Sequence, residues 1–215
     1  RAQNGSKVRG LGVGLGYHSA GNNGYDGLVR IDPTGRIYLH SGVGNLGTYS
    51  YAATVRAAAE VLQADWDNCE IVRGSTDLHL PNSSAQGGSN TLFTHTRANW
   101  VAAEDAVRKL KEIAATDLGG TADDYSIGGE RVFRTDDESV GMTYGQAAAR
   151  AIELGGAYSG QEYPDDIHPI TQRAVQGLAG SGLIGVARDN LPKRGIAPGL
   201  MVSMAEVEVD METGK

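Results

Sequence analysis

The sequence predicts a mixed α/β fold, and three observations carry that expectation. Short β-type runs and long alanine-rich helical runs alternate along the 215 residues, without the strict strand–helix–strand rhythm of a parallel doubly wound sheet. Two of the helical runs are each entered from a glycine-rich loop. Glycines number 31 against two phenylalanines and are scattered through apolar segments, so many backbone positions must lie close to something. A chain of this length fits one large domain or two small subdomains, and it buries a core without staples.

Taken in order, Val8 to Tyr17 alternates, with Gly10, Gly12, Gly14 and Gly16 on one face and Leu11, Val13, Leu15 and Tyr17 on the other. That is a strand with one bare face, suited to close packing against another element or to a flat ligand. Its GxG pattern is not a dinucleotide fingerprint, because no strand precedes it and no helix follows. "GLVRIDPTGRIYLHSG" reads as a hairpin, Leu28 to Ile31 and Arg36 to Leu39, turning at Asp32 to Gly35. The glycine link Gly42 to Gly47 leads into the helix "YAATVRAAAEVLQA". Cys69 lies in "NCEIVRG", read as a buried strand from Glu70 to Arg73. After "PNSSAQGGSNT", residues 81–91, comes the helix "THTRANWVAAEDAVRKLKEIAATDL", where Val101 and Ala102 separate from Asp105 and Lys109 and Gly119-Gly120 is the stop.

"GGERVFRTDD" is a short strand, and Thr143 with Gln146 forms a capping box for the helix "YGQAAARAIEL", ended by Gly155-Gly156. "YSGQEYPDDIHPITQ" reads as an acidic, proline-marked surface loop, and "GLIGVARD" and "GLMVSMAEVEVD" as closing strands. The order divides the chain into 1–120, which holds both glycine loops, and 121–215, a further helix with the closing strands.

Composition excludes several functions. Nineteen basic against 26 acidic residues give a net charge of −7, and no basic run exceeds Lys109, Leu110, Lys111, so tight nucleic-acid binding is not expected. One cysteine offers neither a disulfide framework nor a multi-cysteine metal site and reads as a core thiol. No apolar run approaches the roughly 20 residues of a membrane span, and "RAQNGSKVRG" lacks the core of a signal peptide. The first residue is not Met and the end is a turn signal, which suggests a piece of a longer protein. His18, His40, His79, His95 and His168 show no paired ligand spacing. No G-x-S-x-G elbow occurs. The acid pairs at Asp123, Asp136 and Asp165 read as solvated surface charge, as do Glu60, Glu104 and Glu153 on helix patterns.

The two glycine loops are the sharper signal. A glycine-rich loop entering a helix presents unpaired backbone N–H groups beside the positive end of the helix dipole, which suits a phosphate, an oxo group or a polar heterocycle. Ser89, Asn90 and Thr91 add short side-chain donors and acceptors. A lone loop of this kind is usually a flexible cap. Here "SGVGNLGTYS" and "SSAQGGSNT" each lead into a helix, and the repetition favours a shared ligand.

"KVRGLGVGLGYHS", "GRIYLHSGVGNLGTYS", "LPNSSAQGGSNT" and "MAEVEVDMETGK" resemble, in this order and at similar spacing, the second half of the molybdenum-cofactor-binding subunit of the xanthine oxidase and aldehyde oxidoreductase family. The segment between about Gly120 and Gly180 carries little of the likeness. The resemblance implies the molybdenum-cofactor-binding fold of the aldehyde oxidase and xanthine dehydrogenase type, with 1–120 as its cofactor-loop part. It implies an oxidoreductase, a molybdenum hydroxylase that inserts water-derived oxygen at an aldehyde or aza-aromatic carbon. The cofactor it implies is molybdopterin with Mo, in plain or cytosine dinucleotide form, and it implies that electrons leave through 2Fe-2S clusters and FAD on partner domains or subunits.

By the same resemblance, Gly87 and Gly88 match the small pair bordering the metal, with the Gly88 backbone near Mo and Gln86, Ser89, Asn90 and Thr91 beside the pterin. Gly44, Gly47 and Thr48 match the other pterin loop, with Thr48 where many members carry Gln. Tyr17 and His18 fall where the family lines its substrate pocket; Tyr17 would stack on a flat substrate, and His18 replaces a Thr-like residue. The family's general-base glutamate has no counterpart here, so this piece alone is expected to be inactive and to need the remainder of the large subunit. The bacterial cytoplasm is the favoured compartment, with the periplasm as alternative. Two other readings stay open: an excised or degenerate α/β module without activity of its own, and a phosphate- or nucleotide-binding module using the glycine loops.

Overall fold

The structure, a computed structural model, describes residues 2–21, 24–83, 85–193 and 197–215. In chain order it contains β1 (Ala2–Asn4), β2 (Lys7–Ala20), β3 (Asp26–Ile31), β4 (Ile37–His40), α1 (Ser50–Val61), β5 (Cys69–Val72), α2 (Thr91–Leu118), β6 (Tyr125–Gly128), β7 (Arg131–Arg134), β8 (Gly141–Thr143), α3 (Tyr144–Leu154), α4 (Pro169–Leu178), β9 (Leu183–Arg188) and β10 (Ala197–Asp210). These elements fall into two compact units, Arg1–Ala20 with Arg194–Lys215, and Gly21–Lys193. Residue 120 lies inside the second unit.

The first unit is an antiparallel sheet of order β1-β2-β10. Its register pairs Tyr17 with Leu200, Leu15 with Val202 and Val13 with Met204 on one face, and Gly14 with Ser203 and Gly12 with Ala205 on the other. The apolar face is open, with Leu15 83 % and Met204 72 % exposed. A Cβ on Gly12 or Gly14 would meet only a carbonyl of the paired strand, at 4.0 Å. Salt bridges from Lys7 and Arg9 to Glu206 and Glu208 hold the register at the far end.

The second unit is built on a four-stranded sheet of order β5-β4-β3-β9. β4 and β5 run parallel; the other pairs are antiparallel. Alternation assigns its two faces. Val29, Ile31, Ile37 and Leu39 join one cluster with α1, α2 and α3, whereas Leu28, Ile184 and Val186 pack with Ala174 and Val175 of α4. The β6-β7-β8 meander completes the first cluster through Tyr125 and Val132.

α2 crosses the sheet unusually closely. A Cβ on Gly27 would lie 2.1 Å from the Ala98 carbonyl oxygen, and one on Gly185 would lie 2.5 Å from that of Ala102. Ala98, Ala102 and Ala106 form the matching stripe on α2, all fully or nearly fully buried. The abundance of glycine thus has a packing cause at this crossing, as expected from composition.

The mixed α/β expectation holds, with four local corrections. "YSGQEYPDDIHPITQ" is not all loop: α4 begins at Pro169, its cap being the His168 imidazole, which accepts from the Ile170 amide at 3.1 Å. "GGERVFRTDD" lies within a three-stranded meander instead of a single strand. Cys69 is half-buried, not core; its thiol donates to the Asp65 carbonyl and burial pushes it up to about 11, so it is inert. Lys109 is not on the solvent face. It is buried, donates to the Ile184 carbonyl at 2.7 Å and pairs with Asp105 at 2.7 Å, while Asp105 accepts from the Val186 amide. The pair docks α2 onto β9, and burial holds the Lys109 ammonium below its ordinary range.

Candidate functional site

Because β4 and β5 are parallel, their carboxyl ends lie side by side; the first glycine loop leaves the sheet at the end of β4, and from the end of β5 the chain runs through residues 73–80 to the second. Open α/β sheets place ligands at such carboxyl ends. The Ser41 amide continues the pairing to the Val72 carbonyl at 2.9 Å. The loops then clasp each other. Ser83 Oγ donates to the Gly42 carbonyl at 2.8 Å, and Gln86 Nε2 donates to the Gly44 carbonyl at 3.2 Å. Gly42 is bare because a Cβ would sit 2.6 Å from the Pro81 carbonyl oxygen; at Gly44 a Cβ would meet only the movable end of Gln86, its Oε1 at 2.9 Å. Ser84, within the second loop, lies outside the described residues.

Beyond the clasp the loops open outward. Asn45 Oδ1 accepts from the amides of Gly47, at 2.9 Å, and Tyr49, at 3.3 Å, turning the first loop into α1. Gly47 has φ +85° and Gly88 φ +63°, the left-handed region that favours glycine. Gly87 is different: its φ is not positive, and an added Cβ would meet nothing within 4 Å. No backbone or packing requirement within the described residues explains a glycine there.

The helices that follow have unusual starts. Neither α1 nor α2 has a side-chain N-cap hydrogen bond; Tyr49 and Asn90 hold the cap positions without capping. α3 and α4 are both capped, by the Thr143–Gln146 box and by His168. The uncapped amides of the first turns therefore occur at the two helices entered from glycine loops. Cations stand close by: the Arg73 guanidinium lies 3.7 Å over the Tyr51 ring, and Lys193 Nζ lies 5.9 Å from the Phe93 ring centroid. Positive potential and open amides together favour an anionic ligand.

Two buried histidines, His40 and His95, lie near the loops, one tied to the His79 carbonyl and the other to the Ser83 backbone. Burial holds the pKa of His95 below the usual value. His40 Nδ1 lies 3.1 Å from the His79 carbonyl and therefore carries the proton, leaving Nε2 without a hydrogen-bond partner among the described residues. Burial, then the Arg30 charge, pushes His40 from 6.5 down to about 4. The unfolded chain thus binds more protons between those values, so the stability held by the neutral ring is whole above pH 6.5 and is lost as the pH falls towards 4. The expected loss is about 3 kcal/mol. Urea midpoints at pH 7 and pH 4 measure it, and the difference should shrink in His40→Asn, which has no ring to protonate.

The whole chain, residues 1–215, matches the family described as the molybdopterin cofactor-binding domain. The chain belongs to that family. The molybdopterin cofactor-binding domain is 28 % identical over 137 residues to the probable hypoxanthine oxidase XdhD of Escherichia coli K12, covering 62 % of the chain and 14 % of that protein. Its fold is similar to CO dehydrogenase from Oligotropha carboxidovorans, with TM-score 0.61 and 19 % identity over 98 % of the chain and 25 % of that one. It is also similar to quinoline 2-oxidoreductase from Pseudomonas putida 86, with TM-score 0.56 and 21 % identity over 98 % of the chain and 26 % of that one. The domain thus spans about a seventh of its curated relative and about a quarter of these structures.

Within the domain, Gly44 and Gln86 are brought into direct contact. Gly47, Thr48, Gly87, Gly88 and Ser89 are exposed on the outer parts of the two loops, and Thr91 is the first residue of α2. Thr48 Oγ1 lies 3.0 Å from Ser50 Oγ, and the Ser89 carbonyl accepts from the Gly21 amide at 3.0 Å. Tyr17 and His18 belong to the other unit, where both are exposed and His18 Nδ1 lies 2.8 Å from the Ser19 carbonyl. Sequence reasoning missed Ser83 as a clasp and Asn45 as an organiser. The Asn45-x-Gly47 spacing is a legible Asx-turn signal, whereas nothing local marks Ser83.

Proposed function

We propose that this domain supplies the cofactor loops of a molybdenum hydroxylase that oxidises an aldehyde or N-heterocycle with water-derived oxygen. One observation carries the reading: two clasped glycine loops end in uncapped helix starts, with an open position over Gly87 that no packing within the described residues accounts for. The residues present fit a pterin with an anionic tail. Amides of the first turns of α1 and α2 would hold its phosphate, and Gln86, Ser89 and Asn90 would meet its heterocycle. When bound, the group supplies the redox chemistry, and the protein supplies position and electrostatics.

The dinucleotide form suits two positive helix starts better than a single phosphate would, and we assign it on that basis. Tyr17 is assigned to stack on the substrate. Glu60, Glu104 and Glu153 are exposed on helix surfaces, and we assign the base, the 2Fe-2S clusters and the flavin to other parts of the enzyme. The open face of Leu11, Val13, Leu15, Val202 and Met204 suits burial against the remainder of the large subunit. A bacterial cytoplasmic enzyme is the setting that fits these parts.

The test is composition. Molybdenum and a pterin should co-purify, about one of each per chain, with the enzyme that carries this domain. A nucleotide without metal would overturn the reading in favour of a plain phosphate-binding module.

A further inference from the structure

Gly42 and Ser83 also line a cleft of about 560 Å³ whose other walls are the 76–82 segment and the first turns of α4. Pockets that bind small molecules span about 300–1,000 Å³. The walls are pinned from both sides. The Asn82 amide donates to Thr171 Oγ1 at 3.0 Å, and that hydroxyl donates to the buried Asp26 carboxylate at 2.7 Å. Opposite, the His79 ring lies so close against α4 that a Cβ on Gly177 would sit 2.3 Å from it. The cleft is therefore preformed.

Its chemistry runs against that of the chain. The net charge is −7, yet no acidic residue lines the cleft, and Arg173, which does, forms no salt bridge among the described residues. Asp77, next to the lining, is turned to the Ser75 hydroxyl. Thr76, His79 and Asn82 add polar groups, while Leu80, Ile170 and Ala174 form an apolar wall. The first free amide of α4 is already taken by His168, so side chains do the recognising.

We propose that this cleft binds a small organic anion, its carboxylate or phosphate on Arg173 and its flat apolar body against Leu80 and Ile170. The guanidinium fork matches either head group, and its hydrogen bonds to an anion are the strong, charge-assisted kind. The site does not depend on the cofactor reading.

Calorimetric titration of the intact protein with phenyl phosphate and with benzoate tests it. Saturable one-to-one binding is expected, weakened at least about tenfold by Arg173→Gln. Arg131→Gln, on the meander, should leave affinity unchanged. Tighter phenyl phosphate assigns the site to phosphate esters, and tighter benzoate to carboxylates. Binding in the Gly87→Arg background separates the cleft from the cofactor loops. Absence of saturable binding, or affinity indifferent to Arg173→Gln, overturns the proposal, and circular dichroism of the exposed-site variant checks that it is folded.

Discussion

Replacing Gly87 with arginine is expected to lower molybdenum and pterin content at least about tenfold, equivalent to about 1.4 kcal/mol of binding, while leaving the unfolding midpoint unchanged. The two halves of that expectation come from one geometry. An added Cβ at Gly87 meets nothing within 4 Å and the backbone is not left-handed, so the folded protein without ligand accepts the side chain freely. A ligand seated on the loop needs the volume the arginine fills. Gly88 stands nearer the metal by resemblance, but its φ of +63° makes any substitution there strained, so Gly87 gives the cleaner readout. Metal analysis beside a urea titration decides it: full molybdenum content in Gly87→Arg would remove this loop from the site.

The largest effect on stability should come from Gly27→Val. The new side chain would begin 2.1 Å from the Ala98 carbonyl oxygen and 2.8 Å from Ala102 Cβ. Neither is the movable end of a flexible chain, so α2 must lift from the sheet. A loss of about 4 kcal/mol or more is expected, at the far end of what single substitutions do. Gly128→Ala, whose nearest neighbours would be 3.5 Å away, should stay within about 1 kcal/mol. Equal denaturation midpoints for wild type and Gly27→Val would show that α2 does not press on β3 at Gly27.

What sequence reasoning reached depends on how local the physics is. α3 was legible to the residue because Thr143 and Gln146 cap it reciprocally and Gly155 stops it, all within a dozen positions. The hairpin of β3 and β4 was legible from its Asp-Pro-Thr-Gly turn. α4 was hidden because its cap is an imidazole, outside the usual Ser, Thr, Asp and Asn signal, and because an acidic, proline-marked stretch precedes it. Lys109 was misread because its burial depends on a carbonyl 75 residues away. The two glycine loops were visible as motifs, and their resemblance to one family proved sound. Their clasp was not, since Ser83 reaches Gly42 and Gln86 reaches Gly44 across 41 and 42 positions.

The unshielded starts of α1 and α2 have a bearing on how the protein matures. Amides without intramolecular partners exchange with solvent fastest, and end turns fray first. Exchange should therefore begin at the first turns of α1 and α2, which have no side-chain cap, and later at α3 and α4, which Thr143 and His168 cap. A ligand seated at the starts of α1 and α2, as proposed, would supply partners to these amides, so that loading would be a last ordering step on a core already formed.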